Sequence, residues 1–368
     1  MKKGSSMNTS IDLQGLRRKK RVMVGLSGGV DSAVAAYLLK DQGFDVTGVT
    51  MCLGVEAKET GKVRCCGPRE IEDARLVCLA LGIKHYVLDF APELKDRVIE
   101  PFIREYGMGR TPNPCVECNR HIKFGSLLGK ALSMGFDFLA TGHYAGIDRT
   151  NGDCRLVTPK DARKDQTYFL SGISRDSLGH VLFPLADLTK DQVREIAARE
   201  GLPVSSKKES QDICFIPEGD TGNFLKQNVS APPGDVIDGK GNLMGRHRGI
   251  AYYTIGQRAR MSMNWGKPYY VIAKDIPGNR IVIGERDQLL SRGLTADSVN
   301  LLADDIPGRA HAKIRYAHAP AACTVTFREG EMTVLFDEPQ EAVTPGQTVA
   351  LYDAGAVLGS GIIKEAIR

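Results

Sequence analysis

The apolar run Val22-Met23-Val24-Gly25-Leu26 leads into Ser27-Gly28-Gly29-Val30-Asp31-Ser32, which leads into Ala33-Val34-Ala35-Ala36-Tyr37-Leu38-Leu39. The first run reads as a buried strand and the last as a helix with one apolar face, so a tight glycine turn must join them. Such a turn aims main-chain N–H groups and the positive end of the helix dipole at one small volume, which is an anion site built from backbone. No Gly-x-x-x-x-Gly-Lys-Ser/Thr pattern is present at this turn, so it is not a Walker A loop. The structural alternative is an ordinary strand–turn–helix corner. Two glycines, two serines and an aspartate in one turn favour the anion site.

Strand and helix patterns alternate beyond the turn. Strands are expected at Phe44 to Met51, Lys84–Leu88 and Phe138–Thr141, and helices at about Pro68–Leu81, Glu93–Tyr106, Ile122–Met134 and Lys190–Glu200. Alternation of this kind predicts an α/β fold with a parallel sheet covered on both faces and its ligand beyond the carboxyl ends of the strands. Thr111-Pro112-Asn113-Pro114-Cys115-Val116-Glu117-Cys118-Asn119 reads as a loop, because its prolines do not suit a helix interior. From Pro232 onward short β-rich runs are punctuated by glycine turns. Four segments are expected: a basic tail at 1–20, the α/β domain at 21–221, a small β-rich central domain at 222–292 and a C-terminal β-barrel at 293–368. Gly234-x-x-x-x-Gly239-Lys240 mimics a phosphate loop, but Gly241 follows and no helix opens there, so it is a turn.

A chain of 368 residues can bury several cores, and 42% hydrophobic with 25% charged residues is globular composition. No apolar run approaches the roughly 20 residues of a bilayer span, and residues 1–20 lack a secretory core. The expectation is a cytoplasmic protein that does not engage a membrane. A net charge of +5 permits a polyanionic partner without demonstrating one. The cluster Arg17-Arg18-Lys19-Lys20-Arg21 is a nucleic-acid arm or a solvated terminus.

Nine cysteines, an odd number thinly spread, argue for a reducing compartment in which thiols bind metal or do chemistry. Cys115 and Cys118 form a C-x-x-C, a pattern shared by redox, zinc and iron–sulfur sites. Its position on a loop counts against thioredoxin-like chemistry, and no second C-x-x-C completes a zinc set. Cys214, in Ile213-Cys214-Phe215-Ile216, has apolar neighbours and reads either as a buried inert thiol or as a functional one. Cys52, Cys78, Cys154 and Cys323 read as buried inert thiols. Cys65 and Cys66 stay undecided.

The glycine turn resembles the pyrophosphate-binding loop of the ATP pyrophosphatases. Taken with Thr111–Asn119, Ala140-Thr141-Gly142-His143-Tyr144-Ala145, Lys164-Asp165-Gln166-Thr167-Tyr168-Phe169-Leu170, Gln211–Ile216 and Tyr253-Thr254-Ile255-Gly256-Gln257-Arg258, it gives six motifs in the order seen in the tRNA-specific 2-thiouridylases. The match runs from about residue 21 to the C-terminus. The resemblance implies an ATP pyrophosphatase domain, a central domain and a tRNA-contacting β-barrel. ATP with Mg²⁺ would lie on Gly25, Leu26, Ser27, Gly28, Gly29, Val30, Asp31 and Ser32, with Met51 and Gly142 near the nucleotide. The anticodon stem-loop of tRNA would meet Asn113, Pro114, Cys115, His143, Lys164, Asp165, Gln166, Arg315, Tyr316 and Gln347. The implied reaction adenylates O2 of the wobble uridine and then delivers sulfur.

Two sulfur routes follow from the same resemblance. In one, a sulfur-donor protein loads Cys214 with a persulfide and Cys118 assists, with Lys207, Lys208 and Arg120 favouring thiolates. In the other, Cys115, which stands where the best-known members carry Asp, joins Cys118 and Cys214 as ligands of an iron–sulfur cluster with one open iron. Amidotransferase-type and argininosuccinate-like ligases share the turn but need neither the thiols nor RNA-facing β domains. A zinc-stabilised RNA-binding module would need no ATP site.

Overall fold

β1 (Arg21–Gly25) is the middle strand of a five-stranded parallel sheet that also contains β2 (Asp45–Cys52), β3 (Lys84–Asp89), β4 (Phe138–Thr141) and β5 (Val181–Leu182), in the order β3-β2-β1-β4-β5. Fully buried Val22, Met23 and Val24 explain why the first run forms a central strand. The computed structural model describes residues 19–57, 62–64, 68–208, 213–216, 220–259 and 267–368. Cys65, Cys66, Gln211 and the tail through Arg18 lie outside the described residues. The strand order reverses between β1 and β4, the place where sheets of this kind hold ligands.

Helix α1 (Val30–Asp41) packs its alanine-rich face on the sheet, and α2 (Pro68–Leu81) covers the same side through Ala74, Val77 and Cys78. On the other face, Phe102 and Tyr106 of α3 (Glu100–Gly107), with Ile122, Phe124 and Leu127, build a second core. Two helices depart from α geometry. Lys95–Ile99, leading into α3, and Cys118–Leu127 are π-helical.

The prolines of Thr111–Asn119 do not keep that segment a loop. A helix opens at α4 (Pro114–Glu117) and runs through the π-helical stretch to Ser133, so Cys115 and Cys118 stand on its first turns. The reason is local. Pro114 occupies the first helical position, where its missing N–H costs nothing, and Asn113 Oδ1 accepts from the N–H groups of Cys115 and Val116. One objection to redox chemistry at the C-x-x-C, its place on a loop, therefore falls. Further on, Thr189 and Gln192 form a reciprocal capping box that starts α5 (Lys190–Arg199).

After the helix Thr221–Asn228, a four-stranded sheet of Gly234–Asp238, Leu243–His247, Tyr270–Asp275 and Arg280–Gly284 encloses a small core around Val236, Val271, Ile281 and Ile283. Six strands then close into a barrel, running from Leu290–Leu301 to Ala356–Ile367, with those two strands pairing to seal it. The hairpin Gly146–Asp148 and Arg155–Val157 of the α/β domain extends the barrel sheet through Val157 and Ala356. Among the described residues no helix is long and apolar enough to cross a membrane.

Candidate active site

The strand register brings Gly25 beside Val49 of β2 and Thr141 of β4, so Ser27–Ser32, Met51 and Gly142 gather at one edge of the sheet. Gly28 has φ +69°, and a Cβ there would fall 2.5 Å from the carbonyl oxygen of Glu70. Only glycine tolerates both demands. The Ser27 N–H donates to Ser32 Oγ, and Ser32 Oγ donates to the Gly29 carbonyl. Gly29 precedes α1 with no side chain capping the helix, so the positive helix end faces the turn. Gly142 lies against this end, where a Cβ would sit 2.6 Å from the Ser32 nitrogen.

Three side chains reach the turn in a role that the sequence did not assign to them. The Lys190 ammonium lies 2.6 Å from Asp31 Oδ1, which also accepts from the Tyr144 hydroxyl at 2.9 Å. Lys207 Nζ donates to the Gly28 carbonyl at 3.0 Å and pairs with Asp73 at 2.5 Å. Lys207 is therefore engaged at the glycine turn. Lys190 did leave a signal: a lysine in the first turn of a helix opposes the macrodipole and needs a local anion to justify it.

At the second site, Cys118 is buried and Cys115 half-buried, and both are thiols rather than disulfide halves. Burial pushes both thiols up in pKa, and Lys123, five residues beyond Cys118 on the π-helix, opposes that push. Lys123, rather than Lys207, Lys208 or Arg120, is thus the cation that acts on them. Lys123 Nζ lies 3.3 Å from His143 Nε2, and His143 Nδ1 lies 2.6 Å from Thr141 Oγ1. Burial and the neighbouring ammonium hold His143 well below the usual imidazole range. The neutral ring accepts from Lys123 at Nε2, which leaves the Nδ1 hydrogen for Thr141.

Cys214 is exposed, so the buried-thiol alternative does not hold. Its neighbours Phe215 and Ile216 are buried, with Phe215 edge-on to Phe102 and Phe224. Among the described residues no three His, Cys, Asp or Glu side chains gather where they could hold a metal. The Cys115, Cys118 and Cys214 set is not assembled in this conformation. Of the thiols expected to be inert, Cys78 and Cys323 are buried and Cys154 is half-buried, whereas Cys52 is disulfide-bonded.

The side chains expected to face RNA are largely engaged within the protein. Gln166 accepts the Tyr144 N–H, and Asp165 accepts from the Thr167 N–H and hydroxyl. Arg315 donates to Ile255 O, Ala342 O and Thr344 Oγ1, joining the central sheet to the barrel. Gln347 donates to Thr111 O. Tyr316 is 40% exposed and stacked on Phe169 with ring centroids 4.5 Å apart, and Lys313 Nζ lies over its ring 5.5 Å from the centroid.

Comparison with known proteins decides the family. The chain matches the tRNA methyl transferase HUP domain over residues 20–218, the tRNA methyl transferase PRC-barrel domain over 222–285 and the aminomethyltransferase beta-barrel domain over 291–363. It is 50% identical over 351 residues to a tRNA-specific 2-thiouridylase of Syntrophus aciditrophicus, covering 95% of this chain and 94% of that one. The chain belongs to the tRNA-specific 2-thiouridylase family. A relative of the same description in Clostridioides difficile is 45% identical over 361 residues, covering 95% of this chain and 99% of that one. The family carries the parallel-sheet domain, central domain and barrel in the order described above.

Proposed function

We propose that this protein is a tRNA-uridine 2-sulfurtransferase that uses ATP to thiolate C2 of the wobble uridine. The observation that carries the reading is membership of the 2-thiouridylase family over 95% of the chain. The uncapped glycine turn and the exposed Cys214 supply its two chemical requirements.

In the first half-reaction, uridine O2 attacks the α-phosphate of ATP, which yields an adenylated base and pyrophosphate. The α1 N-terminus with Ser27–Ser32 binds the phosphates, and Lys190 holds Asp31 so that its carboxylate does not repel them. Mg²⁺, when bound, supplies further charge neutralisation. The base must leave its stack to react, at a cost of a few kcal/mol. The exposed edge of the Tyr316–Phe169 pair, with Lys313 beside it, is the aromatic surface nearest in kind to what an unstacked base needs.

In the second half-reaction, a donor protein's persulfide passes its outer sulfur to Cys214 and leaves as a thiol. The terminal sulfur of the Cys214 persulfide attacks C2 and expels AMP. Cys118 then attacks Cys214 Sγ, which releases 2-thiouridine and leaves a Cys118–Cys214 disulfide. A two-electron dithiol reductant reopens it. Cys214 must travel towards Cys118 for this step, a motion compatible with its exposed position. An iron–sulfur cluster held by Cys115, Cys118 and Cys214 would need the same approach of Cys214, since the three thiols are not gathered in this conformation.

The test is mass spectrometry of the wobble nucleoside after incubation of iron-free protein with undermodified tRNA, ATP and a persulfide donor. Formation of 2-thiouridine and pyrophosphate is expected. Pyrophosphate without 2-thiouridine until iron is restored would overturn the persulfide route, and no pyrophosphate at all would favour a binding module.

A further inference from the structure

We propose that the barrel turn Thr344–Thr348 positions the cysteine-bearing helix, with Gln347 and Gly346 as positioning residues for sulfur transfer. The segment leading into Cys115 is held from several sides. The Thr111 N–H donates to Pro345 O at 2.9 Å, and Gln347 Nε2 donates to Thr111 O at 2.7 Å, with Pro112 O also near at 3.4 Å. Both backbone hydrogen-bonding groups of Thr111 are thus satisfied by the barrel, while its hydroxyl lies 3.4 Å from Thr254 Oγ1 of the central domain. Gly346 has φ +92°, and a Cβ there would meet the Thr111 nitrogen at 2.9 Å. The Tyr168 hydroxyl, on the α/β domain, donates to Thr348 O at 2.8 Å and is engaged by the Asn113 side chain. Asn113 in turn caps the helix that bears Cys115 and Cys118.

The chain of contacts is short: barrel turn, Thr111-Pro112, the Asn113 cap, then the thiols. Pro112 and Pro114 stiffen the connection, so displacement at Thr111 passes to the helix start rather than dissipating in a flexible link. Arg315 braces the same turn from behind through Ala342 O and Thr344 Oγ1. The barrel therefore does more than present a surface to RNA. It sets where the helix-borne thiols stand.

The consequence for sulfur transfer rests on the reading above, whereas the anchoring itself is tested without turnover. In the full-length protein, Gln347→Glu keeps size and removes the N–H donor, and Gln347→Ala removes both. Alkylation by iodoacetamide, mapped by mass spectrometry, reports each thiol separately. Cys118, 7% exposed, should react about tenfold faster in either variant, the scale that loss of one internal hydrogen bond allows. Cys78 and Cys323, buried in the α/β and barrel cores, should keep their parental rates and so report intact folding. A parental Cys118 rate in both variants would overturn the proposal, and with weakened tRNA binding would leave Gln347 as an RNA contact alone. Acceleration of Cys323 together with Cys118 in both variants would also overturn it, since the amide would then hold the barrel rather than the loop. Failure of the parent to form 2-thiouridine would remove the sulfur-transfer reading and leave the anchoring standing.

Discussion

Gly142→Ala is a one-carbon perturbation aimed at the contact between the β4 end and the glycine turn. The new Cβ would lie 2.6 Å from the Ser32 nitrogen, 2.7 Å from the Asp31 carbonyl carbon and 2.9 Å from Ser32 Cα. All three are backbone atoms, so no side chain can rotate away. Reaching an ordinary 3.4 Å contact requires roughly 0.8 Å of displacement of the α1 N-terminus. Overpacking of this kind costs about 1–3 kcal/mol. Displacement of a reacting group by about 1 Å costs roughly a hundredfold in rate. The assay is pyrophosphate release with undermodified tRNA over a range of ATP concentrations, alongside thermal unfolding. We expect kcat/KM for ATP to fall between about tenfold and a hundredfold, with a loss of about 2–10 °C in Tm. Gly129→Ala is the control, since nothing lies within 4 Å of its added Cβ in a helix that alanine favours. Parental kcat/KM and Tm in Gly142→Ala would refute the claim that backbone contact at Gly142 sets the anion site.

Lys190→Met removes the ammonium from a buried position and leaves Asp31 with the Tyr144 hydroxyl; the partial exposure of Asp31 limits the loss to about 1–3 kcal/mol in urea unfolding, and adding Asp31→Asn should cost less than the sum of the two. Lys123→Met removes the cation that opposes burial at Cys115 and Cys118, so both thiols should move further up in pKa and the iodoacetamide rate of Cys118 at pH 8 should fall. Arg315→Ala removes the guanidinium donor from Ile255 O, Ala342 O and Thr344 Oγ1, of which Ala342 O keeps the Thr344 hydroxyl, so urea unfolding should show a loss of about 1–3 kcal/mol; an unchanged unfolding midpoint with a flatter salt dependence of tRNA binding would make it an RNA contact instead. Burial raises Cys78 and Cys323 to about 11. Their protonated thiols support the fold fully below the unfolded-state value of about 8.5. That support should decline as pH rises towards 11, and Cys→Ala variants at these positions should flatten the decline of the urea midpoint over this window.

The parallel sheet and the glycine turn were legible because they depend on residues close in sequence. Val22–Val24 must be buried, Gly28 must take a positive φ, and Ala33–Leu39 must face the sheet. The Thr111–Asn119 segment was read as a loop because proline was weighed as a helix breaker, while Asn113 and Pro114 together form a helix start. The partners of the glycine turn were harder to see. Tyr144, Lys190 and Lys207 reach it from 113, 159 and 179 residues away, and sequence periodicity carries no information about such pairings. The separation of Cys214 from Cys115 and Cys118 is likewise a tertiary fact. Phe215 and Ile216 are drawn to the aromatic core around Phe102, which turns the preceding Cys214 thiol outward.

The two chemical centres thus depend on the fold in different ways. The glycine turn is made by its own sequence and braced by three distant side chains. The thiols at the start of the helix that opens at Pro114 depend on the barrel through Thr111 and Gln347, and on the α/β domain through Lys123 and His143. In the proposed reaction, adenylation and sulfur delivery would therefore draw on different contacts, since the glycine turn does not share the Thr111–Gln347 anchor. The dependence of the cysteine-bearing helix on Thr111 and Gln347 predicts that loosening the barrel turn impairs sulfur delivery before it impairs adenylation.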